Sequence, residues 1–152
     1  MLAGHPGRRV AAHNLHLTLV FLGSVSSALR QCLELAVADI HSAPFTLVFD
    51  QAGYWRKPQV SWLGCSELPD PLLSLVHALN TAATECGLKP DTRPYRPHLT
   101  VARKVRRDPG EFLLTPLVWR VERFALVESM SQPEGLFYRP VRMWELRDTH
   151  IR

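Results

Sequence analysis

The 152-residue sequence predicts an α+β fold built mainly from antiparallel sheet. Only two segments carry apolar residues at helical spacing, whereas the other patterned segments alternate with the two-residue period of half-buried strands. Their order is strand, helix, hairpin, helix, strand and final hairpin, without the regular strand–helix–strand alternation that builds a parallel sheet.

The first strand is LHLTLVF, in which Leu15, Leu17, Leu19 and Phe21 face a core and His16, Thr18 and Val20 face away from it. Gly23 ends it. Ser26 or Ser27 caps a helix whose apolar positions are Leu29, Leu33, Ala36, Val37 and Ile40, and Pro44 stops any continuation. FTLVFD (45–50) and QVSWLGC (59–65) read as a hairpin of two strands around a turn region at Gly53, Tyr54 and Trp55. Asp70 caps a second helix with Pro71 in its first turn. Leu72, Leu75, Val76, Leu79, Ala82, Ala83 and Cys86 form its buried stripe, and Gly87 is its stop. A loop rich in proline (Pro90, Pro94, Pro97) leads into HLTVAR, where His98 and Thr100 alternate with Leu99 and Val101. Residues 104–116 read as a basic loop, and two strands, 117–129 and 136–146, flank a turn at Pro133, Glu134 and Gly135. The apolar parity slips between Trp119 and Leu126, which predicts a bulge near Glu122 or Arg123.

With 46% hydrophobic and 21% charged residues, the chain can bury one core, and a single globular unit over 1–152 is expected. No apolar run approaches the roughly 20 residues that cross a bilayer, and Arg8 and Arg9 are not followed by the apolar segment of a secretory signal. Cys32, Cys65 and Cys86 give an odd count with no CxxC spacing. Neither a disulfide framework nor a zinc site is therefore expected, and a reduced, cytoplasmic protein fits best. Arginine supplies 15 of the 18 basic residues, which suits forked hydrogen bonding to phosphate; arginine-favouring codon usage would produce the same bias.

The chemistry lies in a repeat, HLTL at 16–19 and HLTV at 98–101. On a strand, His and Thr two residues apart project to one face while the intervening leucine anchors the core. Two such strands side by side about a pseudo-twofold axis would set two imidazoles around a central space with two hydroxyls pointing into it. Histidine can give or take a proton near neutral pH, and a threonine hydroxyl can donate to a phosphate oxygen. Phosphodiester hydrolysis needs both operations: one histidine takes a proton from water while the other protonates the departing oxygen. No metal or cofactor is required, because hydroxyls and cationic groups can stabilise the developing charge. A metal site of His13, His16 and His98 is disfavoured because His13 and His16 have opposite strand parity and lack a nearby carboxylate or cysteine ligand.

GRRVAAHNLHLTLVFLGSV and RPYRPHLTVAR resemble the two signature segments of the bacterial RNA 2′,3′-cyclic phosphodiesterases, two-histidine phosphoesterases historically called 2′-5′ RNA ligases. The similarity continues through QAGYWRKPQVSWLG and LFYRPVRMWEL. It implies a bilobal fold with pseudo-twofold symmetry and the motifs in the groove between lobes. It also implies His16 as proton donor, His98 as proton acceptor, and Thr18 and Thr100 as phosphate contacts. Family members usually begin with a further strand and helix, which this sequence does not show ahead of Arg9, so a shortened N-terminal element is expected. Arg103 sits on the odd-parity face, away from His98 and Thr100 unless the strand has ended, but the resemblance places a phosphate-contacting basic residue there. Tyr95 and Phe21 are candidates to stack on a base, with core or loop packing as the plainer role. Arg106 and Arg107 fit a solvated loop that could track RNA, Trp62 and Trp144 fit core positions, and His5, His41, His77 and His150 read as surface residues.

Three functions compete. The first is hydrolysis of an RNA terminal 2′,3′-cyclic phosphate to a 2′-phosphomonoester. The second is 2′-5′ ligation at the same site, with a 5′-hydroxyl RNA end in place of water. The third is an RNA-binding module without chemistry, in which the arginine excess is the functional feature and loss of either histidine changes no turnover.

Overall fold

The computed structural model describes residues 4–89, 91–112 and 115–148. Both helices form where the apolar spacing places them. Helix α1 spans Ser27–Ala38, and its N-terminal amides are capped by Ser26, whose hydroxyl accepts from the Leu29 amide at 3.1 Å. Helix α2 spans Asp70–Glu85. Its N-cap is Pro69, so Asp70 is the first helical residue rather than the cap, and it places an acidic residue in the first turn, at the positive end of the helix dipole. Gly87, at φ 101°, ends the helix in the left-handed conformation that glycine adopts without strain, and the Leu88 amide returns to the Ala83 carbonyl. Leu33 and Val37 of α1 and Leu72, Leu75 and Val76 of α2 are buried.

Cys32 of α1 and Cys86 at the end of α2 form a disulfide, with Cα atoms 5.8 Å apart. This corrects the expectation of an entirely reduced chain. The odd cysteine count hid the pair, because Cys65 is the one left free and 54 residues separate the partners.

Among the described residues there are eight strands, in chain order β1 Arg8–Arg9, β2 Phe45–Phe49, β3 Gln51–Trp55, β4 Val60–Gly64, β5 Leu99–Arg103, β6 Leu117–Val121, β7 Arg123–Gln132 and β8 Gly135–Glu145. Every pairing is antiparallel. A four-stranded sheet has the order β1-β5-β4-β3, and two further pairs are β2-β6 and β7-β8. The expected α+β class stands, but the expected central hairpin does not. Residues 45–49 pair with β6, and the supposed turn at Gly53, Tyr54 and Trp55 is itself strand β3, paired with β4. Gly53 is the reason that stretch resembles a turn. A Cβ there would lie 2.1 Å from the Trp62 ring, so the glycine is the bare patch over which a cross-strand indole lies flat.

The parity slip near Glu122 marks a change of partner rather than a bulge. The chain leaves β2 at Val121 and joins β8 at Arg123, and the Glu122 carbonyl accepts from the Leu146 amide. The irregularity in the final hairpin falls instead between Leu126 and Val127. One apolar cluster runs through the molecule, drawing Phe45, Leu47 and Phe49 from β2, Leu63 from β4, Leu99 and Val101 from β5, Val121 from β6 and the buried stripe of α2. Among the described residues no helix is long and apolar enough to cross a membrane.

Candidate active site

The two His-x-Thr motifs meet across an antiparallel bridge between Leu17 and Leu99. The bridge fixes Leu17 opposite Leu99, and an antiparallel register carried one residue each way from it would set His16 across from Thr100 and Thr18 across from His98. The imidazoles would thus occupy one diagonal of a four-residue square and the hydroxyls the other. Diagonal neighbours in such a pairing lie roughly 7–8 Å apart at Cβ, enough for a phosphate between them. The twofold relation expected of the motifs would then have Leu17 and Leu99 on its axis.

The first motif is nonetheless not on a strand. A 3-10 turn over Ala12–Asn14 precedes it, a bend at Leu19 follows it, and Leu17 alone makes a ladder contact. Leu17 and Leu19 pack on the core as expected, but Leu15 is 42% exposed and Phe21 83% exposed, so neither is a core residue.

Each histidine is oriented by the carbonyl two residues before it. Nδ1 of His16 lies 2.7 Å from the Asn14 oxygen, and Nδ1 of His98 lies 3.1 Å from the Arg96 oxygen. A carbonyl can only accept, so Nδ1 carries the hydrogen in both rings and Nε2 is left for substrate. Each ring also rests on an aromatic from a hairpin: His16 on Tyr138 of β8 at 4.3 Å, and His98 edge-on to Trp55 of β3 at 4.8 Å. Trp55 is backed by Trp62 at 5.2 Å. Asn14 adds a second tie, since Nδ2 donates to the Leu136 carbonyl at 2.9 Å and Oδ1 accepts from the Tyr138 amide at 3.1 Å. Sequence reasoning missed Asn14, Trp55 and Tyr138. Only Asn14 offered a signal, its place two residues before the histidine.

Tyr95 is not a stacking surface. Its ring packs against the core and its hydroxyl donates to the Thr18 carbonyl at 3.0 Å, while burial pushes the phenol well above its usual range. Phe21, by contrast, is open to solvent beside Gly23.

Arg103 requires a second correction. Leu63 pairs with Leu99 and Trp62 with Thr100, but Ser61 pairs with Ala102, leaving Val101 as an extra residue in β5. That bulge inverts the alternation. Val101 and Ala102 are both buried, and Arg103 emerges on the face of His98 and Thr100, where simple parity denied it a place.

His5 is not an ordinary surface residue either. Its Nε2 lies 3.0 Å from the buried Ser61 hydroxyl, its Nδ1 accepts from the Gly7 amide, and its ring meets Phe112 edge-on. Desolvation, with Arg9 nearby, lowers its pKa. His41 and His77 are exposed, Arg106 and Arg107 lie on an exposed loop, and His150 lies outside the described residues. The Trp62 and Trp144 side chains are half-buried, with their indole nitrogens fully so. His13 is exposed against Phe137, and among the described residues no three His, Cys, Asp or Glu groups cluster as metal ligands.

Two His-x-Thr motifs joined by a bridge on an antiparallel α+β frame have the make-up of a two-histidine phosphoesterase. Residues 3–132 match the model of the 2′-5′ RNA ligase superfamily, and the chain belongs to that family. It is 37% identical over 145 residues to the RNA 2′,3′-cyclic phosphodiesterase of Escherichia coli strain K12, an alignment covering 92% of this chain and 80% of that protein. Identity to the RNA 2′,3′-cyclic phosphodiesterase of Thermus thermophilus is 33%, covering 94% and 77%. The crystal structure of E. coli LigT complexed with 3′-AMP matches with a TM-score of 0.83 at 34% identity, covering 97% of this chain and 87% of that one. The same protein complexed with phosphate gives 0.80 at 32% identity, covering 97% and 86%.

Proposed function

We propose that this chain, acting as one catalytic unit over residues 1–152, hydrolyses the 2′,3′-cyclic phosphate at an RNA end to a 2′-phosphomonoester without a metal ion. The observation that carries the reading is the antiparallel Leu17–Leu99 bridge that joins the two His-x-Thr motifs, with Nδ1 of each histidine held by a carbonyl. Water attacks phosphorus as His98 takes its proton, the bond from phosphorus to the 3′ oxygen breaks, and His16 protonates that leaving oxygen. Thr18, Thr100 and Arg103 donate to the non-bridging oxygens as charge builds. Phe21, exposed at the end of the first motif, is the stacking surface for a base. The assignment of donor and acceptor follows the family resemblance, since the two halves are nearly symmetric.

The test is incubation with RNA ending in a cyclic phosphate, with the product isomer identified. A 2′-phosphate is expected, and a 3′-phosphate would reverse the bond assignment. Because the matching family model is that of 2′-5′ RNA ligases, an arm with a 5′-hydroxyl RNA partner belongs in the same assay. Exclusive ligation would replace the hydrolytic reading. We assign the protein to the cytoplasm, where its RNA substrate class resides. The Cys32–Cys86 pair makes that assignment testable, because reducing compartments rarely retain disulfides. Fractionation that finds the disulfide-bonded chain among cytoplasmic proteins would support it, and finding the chain only outside the cytoplasm would overturn it.

A further inference from the structure

The catalytic square accounts for one phosphate, yet the same face of the sheet continues beyond it. Arg8 of β1 is the direct cross-strand partner of Arg103 on β5. Facing residues in an antiparallel pair lie ~5 Å apart at Cα, and like charges so placed repel. Arg9 pairs with the buried Ala102, on the side where it lowers the His5 pKa, so Arg8 takes the opposite face, shared with Thr100 and His98. Neither arginine takes part in an ion pair among the described residues. Among the described residues the ion pairs are Arg30–Glu34, Arg93–Asp91, Arg139–Glu128 and Arg147–Glu145. The Arg8 guanidinium donates, among the described residues, to a carbonyl, that of Glu134 in the β7–β8 turn, at 3.5 Å.

The chain is packed tightly to hold this arrangement. A Cβ on Gly7 would lie 2.5 Å from Val105 and 3.1 Å from the Arg103 carbonyl, so the absence of a side chain there lets β1 close onto β5. Arg103 lies three positions after Thr100, but Val101 is the bulged residue, so the separation is two ladder steps, about 7 Å at ~3.4 Å each. Two arginines at that distance from the reacting phosphate exceed what one singly charged cyclic phosphate requires.

We infer that Arg8 reads the next phosphate of the RNA chain, the linkage on the 5′ side of the terminal nucleotide, and so favours oligonucleotide ends over free cyclic nucleotides. The assignment rests on the proposed cyclic phosphodiesterase activity and deepens it. Arg103 reaches back towards the cyclic phosphate, and Arg8, steadied by the Glu134 carbonyl, meets the flanking one. A guanidinium suits a tetrahedral diester because it offers two parallel donors.

Three substrates separate the possibilities: a mononucleoside 2′,3′-cyclic phosphate, a dinucleotide with the same end, and that dinucleotide with an uncharged methylphosphonate linkage. The wild-type chain should prefer the charged dinucleotide by about tenfold in kcat/KM over either of the others, a typical value for one charged hydrogen bond. Arg8→Ala and Arg8→Gln should erase that preference while leaving mononucleotide turnover unchanged. They should also flatten the salt dependence for the charged dinucleotide by about 0.7 in log–log slope. The assignment is overturned if the preference survives in both variants, or if mononucleotide turnover falls equally. If the wild-type chain turns over none of the three substrates, the phosphodiesterase reading itself falls and takes this one with it. If both Arg8 variants keep the preference while His98→Ala abolishes turnover, only the Arg8 assignment fails.

Discussion

His98 stands at the mouth of strand β5, whereas His16 stands on a segment that touches the sheet only at Leu17. The two halves spell the same motif and present the same nitrogen. On the β5 side, ladder pairing with β4 fixes Thr100, and the Arg96 carbonyl orients the imidazole. On the other side the ladder is missing, and side chains replace it: Asn14 ties the segment to β8, and the Tyr95 hydroxyl holds the Thr18 carbonyl. The difference teaches that symmetry of chemistry does not require symmetry of support, and it separates substitutions that should matter equally from those that should matter on one side only.

The largest effect should be common to both halves. His16→Ala and His98→Ala should each lower kcat on the order of 10² to 10⁴, since each removes one proton-transfer partner. Chelator added to the wild-type chain should leave the rate intact. A strict metal requirement, or full activity in either variant, would break the equivalence of the two halves. Loss of Thr18 or Thr100 should cost less, about 1.5–3 kcal/mol of transition-state stabilisation, as expected for a hydrogen bond to a charged oxygen.

The halves should part company two residues earlier. Arg96 orients His98 through its backbone, so Arg96→Ala should leave kcat for a mononucleotide substrate unchanged. Asn14 orients His16 through its backbone too, but its side chain anchors that backbone to β8 through two bonds. Asn14→Ala should therefore lower kcat about ten- to hundredfold with little change in KM, because misplacing a catalytic group acts on the chemical step. Asn14→Asp keeps the acceptor for the Tyr138 amide and loses the donor to Leu136, so it should fall between. Steady-state kinetics on folded protein decide the matter, and equal behaviour at 14 and 96 would erase the distinction.

The same asymmetry explains what could be seen in the sequence. The motifs, both helices, the Ser26 cap and the Gly87 stop were legible because each is written in local spacing or local turn chemistry. Strand β3 was not, because Gly53 reads as a turn until Trp62, nine positions away, is known to cover it. Arg103 was placed on the wrong face because a bulge at Val101 depends on how β4 pairs, which no alternation within β5 records. Asn14, Trp55 and Tyr138 escaped for the same reason. Their partners come from elements brought together only by the fold, as does the bond between Cys32 and Cys86.

A smaller test of the side-chain support is Tyr95→Phe. It deletes the hydroxyl that donates to the Thr18 carbonyl and leaves the ring in the core, so about 0.5–1.5 kcal/mol of stability should be lost. The same change should raise KM modestly, because Thr18 is the phosphate contact proposed for that half. Urea midpoints with an unchanged slope would report the first effect and initial rates the second. An unaltered midpoint would mean that the irregular segment is held by its apolar contacts alone.

The smallest effect lies behind the β5 half, at His5, which braces Ser61 on the sheet face opposite the site. Its folded-state pKa lies below the ordinary 6.5, because burial and then Arg9 disfavour the imidazolium. The unfolded chain therefore binds more protons than the folded one as pH falls through about 6.5, and stability should decline there and be regained above it. The neutral ring is also what the contacts demand, since Nδ1 accepts from the Gly7 amide and cannot do so when protonated. Urea midpoints for the wild-type chain should drop between pH 7.5 and pH 5.5, and His5→Gln should drop less. An identical decline in both would place the acid sensitivity elsewhere. A decline confined to the wild type would show that the regular half of the site carries its own dependence on a side chain, one hidden beneath the ladder rather than beside the motif.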